Sequence, residues 1–396
     1  MNFVFVSPQF PETYANFCER LAERGVTVLG IGDAPYDGLP QALRDALTEY
    51  WYAPSLEDYD QVFRACAYFS YKYGKIDWIE SNNEYWLSLD AQLRTDFNVT
   101  TGANAQTMAA WQSKAAMKPL YAAGGVPSAR QVPVTTIEAA ADFVDRVGVA
   151  FAKPEYGMGA AGTMKVETWE DLETLFAEKG DSPYVLEEFV PASEICAYDA
   201  ILDSDSEPLF ENEEEFPPSM SEVAQKQIDL AYWCRPDVEE ELRQMGRATA
   251  KAFGIKSRFV HMEFFRLAED KPGLGKKGGF VGLEVNCRPA GGYTTELMNY
   301  AHSTDVYTIW ADMVCHDQLL RSVDETSWFC VDAGRRNVHS YVHDHDDIVR
   351  TWGDRIVMMR PIPQALSDDL GDFMYVARVA TEDERKAFVD YVQEQR

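Results

Sequence analysis

Gly282-Leu283-Glu284-Val285-Asn286-Cys287-Arg288-Pro289 is the stretch on which the reading of the chain turns. Side chains two apart on a strand share a face, so Glu284, Asn286 and Arg288 line one side, and Leu283, Val285 and Cys287 the other. An acid, an amide and a guanidinium in a row pack poorly, but they suit a hard cation carrying phosphate oxygens. Magnesium takes one or two carboxylates and fills its shell with phosphate and water, and a guanidinium grips phosphate in a planar fork. A second carboxylate comes from His261-Met262-Glu263-Phe264-Phe265, where His261, Glu263 and Phe265 share a face. Between the two runs, Lys271 to Gly278 carries Gly273 and Gly275 and suits a hairpin turn. The hairpin sets Glu263 opposite Glu284 or Asn286, as a pair of metal ions bridging two phosphates requires. Either strand alone also fits the exposed face of an acidic protein; the two together favour a site.

Working toward the N-terminus, Ala152-Lys153-Pro154-Glu155-Tyr156-Gly157-Met158-Gly159-Ala160-Ala161-Gly162-Thr163 is a strand running into a glycine-rich loop. Glycines let backbone N–H groups approach phosphate, and Lys153 adds a point charge. The loop has no Gly-Lys-Ser/Thr ending, and a plain turn explains it equally well. Val185-Leu186-Glu187-Glu188-Phe189-Val190-Pro191-Ala192-Ser193-Glu194 reads as an apolar strand entering an acidic linker between lobes. Its backbone can meet an adenine edge, and Glu194 can accept from ribose hydroxyls.

The opening of the chain alternates strand and helix. Residues 3–6 form a strand, Tyr14 to Glu23 a helix with one apolar face, and Val26 to Ile31 a second buried strand. This pattern predicts a parallel sheet. Ser55 is the expected N-cap of the next helix, and Ile76 to Ile79 the next strand. Gln106 to Ala123 reads as one amphipathic helix closed by Gly124-Gly125. Ser204 to Pro218, polar, acidic and broken by proline, reads as a surface loop or crossing segment. Val238 to Phe253 is a helix stopped by Gly254, residues 293–320 are helical, and the tail from 328 holds short strands and a last helix from Glu382. The expected lobes are 1–105, 106–188, 189–330 and 331–396.

With 396 residues, several lobes are expected. The seven cysteines are scattered and include no Cys-x-x-Cys pair, which suits reduced thiols rather than a disulfide frame or a zinc site. The N-terminus has no basic region or cleavage site, and no apolar run approaches the roughly 18–20 residues of a membrane span. A cytoplasmic protein without a membrane partner is the expectation. The formal charge of −29, from 36 basic and 65 acidic residues, argues against nucleic acid as a partner.

The order of these pieces resembles the ATP-grasp superfamily, and within it the carboxylate–amine ligases. The resemblance is close over about residues 106 to 300. It implies an α/β fold with an N-terminal Rossmann-like pre-ATP-grasp lobe and two α+β lobes clasping ATP. Residue by residue, Lys114 resembles the first ATP lysine, although the family commonly has Asp where this chain has Ser113. Lys153 resembles the second phosphate lysine, and Gly157, Gly159 and Gly162 the loop over the phosphates. Glu187, Glu188 and Val190 resemble the adenine-binding hinge, and Glu194 the ribose acid. Glu263, Glu284 and Asn286 match magnesium ligands, with manganese as a substitute, and Arg288 the arginine that steadies the transferred phosphoryl group. The implied reaction activates a carboxylate as an acyl phosphate and passes it to an amine, with ADP as product. The implied partners are a small-molecule acid and amine, with a homodimer as the prior assembly.

Biotin carboxylation, a nucleotide-pathway ligation and a nucleotide-binding protein without turnover share this machinery and stay open at this point. Two further features stay outside it. His339, His343 and His345 stand among Asp344, Asp346 and Asp347, where helix capping is favoured over metal binding. Arg335 and Arg336 either hold a substrate carboxylate or balance local acids.

Overall fold

The computed structural model describes residues 1–157, 162–216, 223, 226–320 and 326–396. The N-terminal sheet contains β1 (Asn2–Val6), β2 (Thr27–Gly32), β3 (Glu49–Tyr52) and β4 (Trp78–Glu80). Its order is β3-β2-β1-β4 and every pairing is parallel, as the alternation of strand and helix predicts. The helix after β3 runs Tyr59–Tyr73 and is capped by Asp58, not Ser55, because the Asp58 side chain accepts from the Asp60 N–H.

A small antiparallel sheet follows, built from β5 (Gln131–Pro133), β6 (Ala150–Pro154), β7 (Met164–Val166) and β8 (Tyr184–Glu188) in the order β5-β8-β6-β7. Two helices, Ala105–Gln112 and Lys114–Ala123, lead into it. The single helix expected over 106–123 is broken at Ser113. That residue leaves helical geometry (ψ 115°) to cap the second helix, accepting from the Ala116 N–H at 3.1 Å. Its hydroxyl also donates to Glu155 Oε1 at 2.6 Å. The break places Lys114 on the first turn of its own helix.

The third sheet is fully antiparallel. It contains β9 (Ala192–Leu202), β10 (Pro208–Phe216), β11 (Ala231–Cys234), β12 (Arg258–Leu267), β13 (Phe280–Asn286), β14 (Phe329–Arg335), β15 (Ile356–Pro361) and β16 (Phe373–Val379). The order is β13-β12-β9-β10-β11-β14-β16-β15. The segment 204–218, expected as a surface loop, therefore holds a central strand. Asn212, Glu213, Glu214 and Glu215 are buried. Arginines make this burial tolerable on one face of β10. Glu211 takes Arg247 in a fork at 2.8 and 2.6 Å, Glu213 meets Arg266 at 3.3 Å, and Glu215 meets Arg235 at 3.0 Å.

The N-terminal lobe packs through aromatic contacts on the helix Val306–His316, which lies against the large sheet. Phe17 meets Tyr307 and Trp310 edge-on at 4.7 and 4.9 Å, and Phe3 meets Trp310 at 5.6 Å. Each such ring contributes roughly 1.5–3 kcal/mol by burial. The helix Glu240–Phe253 covers the arginine-bearing face and stops at Gly254, whose φ of 67° is left-handed. Among the described residues no helix is long and apolar enough to cross a membrane.

Candidate active site

The hairpin of β12 and β13 forms as the sequence suggests. Its register pairs Glu263 with Glu284 and His261 with Asn286, with an irregularity between Glu263 and Phe264. Burial pushes the Glu284 carboxyl up to about 7, and Glu263 and Glu84 add to it while Lys114 opposes. Glu263 moves the other way: burial raises it, but the His261 imidazole and then Arg288 and Lys153 hold it below the ordinary range. Glu263 is thus held toward its charged form, and beside it Glu284 keeps its proton more readily than an ordinary carboxyl. Two carboxylates and the amide oxygen of Asn286 form an all-oxygen donor set, which fits magnesium.

His261 is itself held. Its Nδ1 lies 2.7 Å from Asp199 Oδ1, and its Nε2 lies 3.2 Å from Glu263 Oε1. Burial would lower the imidazole, but buried Asp199 raises it to about 10, so it stays cationic between two acids. Asp199 also accepts from Asn212 at 2.9 Å, and His302 Nε2 lies 2.8 Å from the Asn212 oxygen. Without an alignment of period-two faces across four strands, neither Asp199 nor Asn212 is visible as part of this site from sequence.

Opposite the hairpin stands a group of lysines. Lys153 on β6 and Lys118 on the helix Lys114–Ala123 both meet Glu187 at 2.6 Å, one on each carboxylate oxygen. Lys114, one helical turn before Lys118, points to Glu284 Oε1 at 3.5 Å and donates to the Gly157 carbonyl at 3.0 Å. Lys118 was not singled out from the sequence; its i, i+4 spacing from Lys114 is the signal that could have found it. The two halves of the site are tied where the Gly282 N–H donates to the Pro127 carbonyl at 2.8 Å. Only glycine allows this approach, since a Cβ at Gly282 would lie 2.6 Å from the Tyr121 ring.

The hinge residues serve several ends. Glu188 holds Arg130 through Nε at 2.9 Å and Nη2 at 2.6 Å, which commits its carboxylate to joining β5 and β8. Val190 is buried against Leu267 and Val281. Glu194 pairs with Arg266 at 2.9 Å and stays partly exposed. Gly157 and Gly162 have positive φ, 142° and 72°, consistent with a sharp loop; Gly159 lies outside the described residues. Arg288 is gripped by Glu84 from the N-terminal lobe, with Nε at 3.1 Å from Oε2 and Nη2 on the same oxygen. Glu84 carries no motif and escaped the sequence reading for that reason.

The two features outside the motif order find partners within the fold. Asp344 caps the helix His345–Trp352 in a reciprocal box with Asp347. His339 meets Asp229, His343 stacks on Tyr391 at 3.7 Å, and His345 meets the Tyr375 hydroxyl, so the three imidazoles have separate partners. Arg335 donates to the carbonyls of Val392 and His343, and Arg336 to those of Ile228, Ser367 and Asp368. Both guanidiniums bind backbone rather than balancing acids.

No family model matches the chain, and no curated protein matches it. Solved structures do. An L-amino acid ligase from Bacillus licheniformis superposes with a TM-score of 0.72 at 14% identity, covering 98% of this chain and 95% of that one. A phosphoribosylglycinamide synthetase from Anaerococcus prevotii gives 0.68 at 13% identity, covering 100% and 98%. An N5-carboxyaminoimidazole synthetase from Staphylococcus aureus gives 0.68 at 13% identity, covering 99% and 97%. Across nearly the whole length, and with its parallel, small antiparallel and large antiparallel sheets in this order, the chain has the ATP-grasp fold.

Proposed function

We propose that the protein is an ADP-forming carbon–nitrogen ligase, which activates a carboxylate as an acyl phosphate and joins it to an amine. The observation that carries this reading is the β12–β13 register, which sets Glu263 against Glu284 and leaves Arg288 at the end of the same face. Lys114, Lys118 and Lys153 approach from the opposite lobe, supported by Glu187. Magnesium held by Glu263, Glu284 and Asn286 would supply neutralisation of phosphate charge, with manganese as a substitute. Lys114 and Lys153 would bind phosphate oxygens, and Gly157 and Gly162 would shape the loop that covers them. Arg288 would steady the phosphoryl group in transfer. The backbone near Glu187, Glu188 and Val190 would meet adenine, and Glu194 the ribose. The reaction then needs positioning and charge stabilisation, and no covalent nucleophile from the protein.

We assign the lobes as 1–105, 106–188, 189–330 and 331–396, in a cytoplasmic enzyme, with a homodimer as the assembly. The test is ADP and phosphate release from MgATP across a panel of carboxylic acids and amines, with biotin plus bicarbonate as a separate arm. Release that needs one acid and one amine, with an amide as product, supports the proposal. Release with biotin and bicarbonate, or nucleotide binding with no release in any arm, refutes it.

A further inference from the structure

Beside the metal-ligand face lies a cavity of about 410 Å³, roofed by the N-terminal lobe and walled by the helix Ala105–Gln112 and by β13. Its volume is in the range of small-molecule sites. Leu87, Met108, Trp111 and Met117 give it an apolar wall, and among the described residues Glu84 and Glu284 are the only charged side chains lining it, with the Asn286 amide beside them. The cations nearest these acids, Arg288 and Lys114, do not line it. Both contacts from Arg288 go to Glu84 Oε2. No hydrogen bond among the described residues uses Oε1, so that oxygen can accept from a ligand.

These observations discriminate among substrates. In the chain without magnesium, a phosphorylated or carboxylate-bearing body would meet Glu84 and Glu284 and no cation among the described lining residues, at the cost of desolvating its own charge. An ammonium on an apolar body meets a carboxylate oxygen that has no partner among the described residues, in a chamber whose wall includes Trp111 and the two methionines. We propose that this cavity is the amine subsite, and that it takes a primary amine with an apolar body, bound through Glu84. The assignment rests on the ligase reading only in calling the ligand a substrate; the binding preference stands on the cavity itself.

The experiment uses the full chain without nucleotide or magnesium and three probes, 2-phenylethylamine, phenylacetate and O-phosphoethanolamine, read by ligand-observed NMR titration. 2-Phenylethylamine is expected to bind at least tenfold more tightly than either anionic probe. Glu84→Gln is expected to weaken it at least tenfold and to improve phenylacetate, because Arg288 loses its partner. Ser88→Trp fills the cavity from its exposed rim without removing a core side chain, and is expected to abolish binding. Equal or tighter binding of phenylacetate or O-phosphoethanolamine to the wild type overturns the proposal, as does unchanged 2-phenylethylamine binding in folded Ser88→Trp protein. ADP release over the acid panel is measured separately, so that absence of turnover counts against the ligase reading and not against the subsite.

Discussion

Replacing Glu187 by Gln removes the anion that holds Lys118 and Lys153 together, and the size of the effect follows from the geometry. The side chain is only 7% exposed, and each oxygen has an ammonium at 2.6 Å. Burial raises its carboxyl, yet Lys153 and Lys118 override that and bring it from an ordinary 4.5 to about 2. At about 1.4 kcal/mol per pKa unit, the ionised form contributes about 3 kcal/mol. Because the folded pKa lies below the unfolded one, the unfolded chain takes up the proton first as pH falls. The contribution is therefore complete above about pH 4.5 and lost on the way down to about pH 2. Urea denaturation of wild type and Glu187→Gln should show a gap of about 3 kcal/mol at pH 7 that narrows by about 1.4 kcal/mol per unit below pH 4.5. Saturating MgADP should narrow the pH 7 gap as well, if phosphate oxygens replace the missing carboxylate. A gap under 1 kcal/mol at pH 7, or one as large at pH 3.5 as at pH 7, would refute the account of Glu187 as the anchor of both lysines.

Glu284→Ala and Arg288→Ala should each lower ATP turnover by more than about 100-fold while the circular dichroism spectrum is retained; normal turnover in a folded Glu284→Ala protein ends the metal-site assignment. His261→Gln should weaken apparent magnesium affinity by about 10- to 100-fold, measured by titrating magnesium at saturating ATP, since His261 holds Glu263 at 3.2 Å. An unchanged magnesium curve would mean that Glu263 needs no such support. Gly282→Ala should cost about 1–3 kcal/mol in urea denaturation, because its Cβ would fall 2.6 Å from Tyr121; wild-type stability would show that the ring moves aside freely.

The legible part of this molecule was local and periodic. Glu284, Asn286 and Arg288 fell on one face because strand alternation is a property of sequence alone, and a glycine-bearing turn announced the partner strand. The parallel N-terminal sheet was readable for the same reason, from strand and helix signals in alternation. What escaped was set by contacts distant along the chain. Glu84 reaches Arg288 across 204 positions, and Asp199 reaches His261 across 62. Nothing near either acid in sequence marks it. Ser113 broke a helix that periodicity ran straight through, because its capping bond and its bond to Glu155 together outweigh continued helix.

The acidic run of β10 was misread for a deeper reason. Five of the residues Glu211 to Phe216 are polar, and polarity normally marks a segment that stays in water. Here the arginines that compensate it come from elsewhere in the chain: Arg235 just after β11, Arg247 from the helix Glu240–Phe253 and Arg266 from β12. On the opposite face no guanidinium among the described residues pairs with Glu214, and burial first, then Asp199, pushes its carboxyl up to about 8. Burial does the same to Asp332 on β14, also to about 8. Such groups hold their protons at neutral pH, so the formal charge of −29 overstates the charge of the folded chain. That matters for the site. Among the described residues, β10 carries acids that are raised by burial or paired with arginines, while the β12–β13 edge sets Glu263 against Glu284. Lys153 and Arg288 act on Glu263 and Lys114 on Glu284 at that edge, so on the proposed reading a metal-bound triphosphate would there satisfy both signs at once.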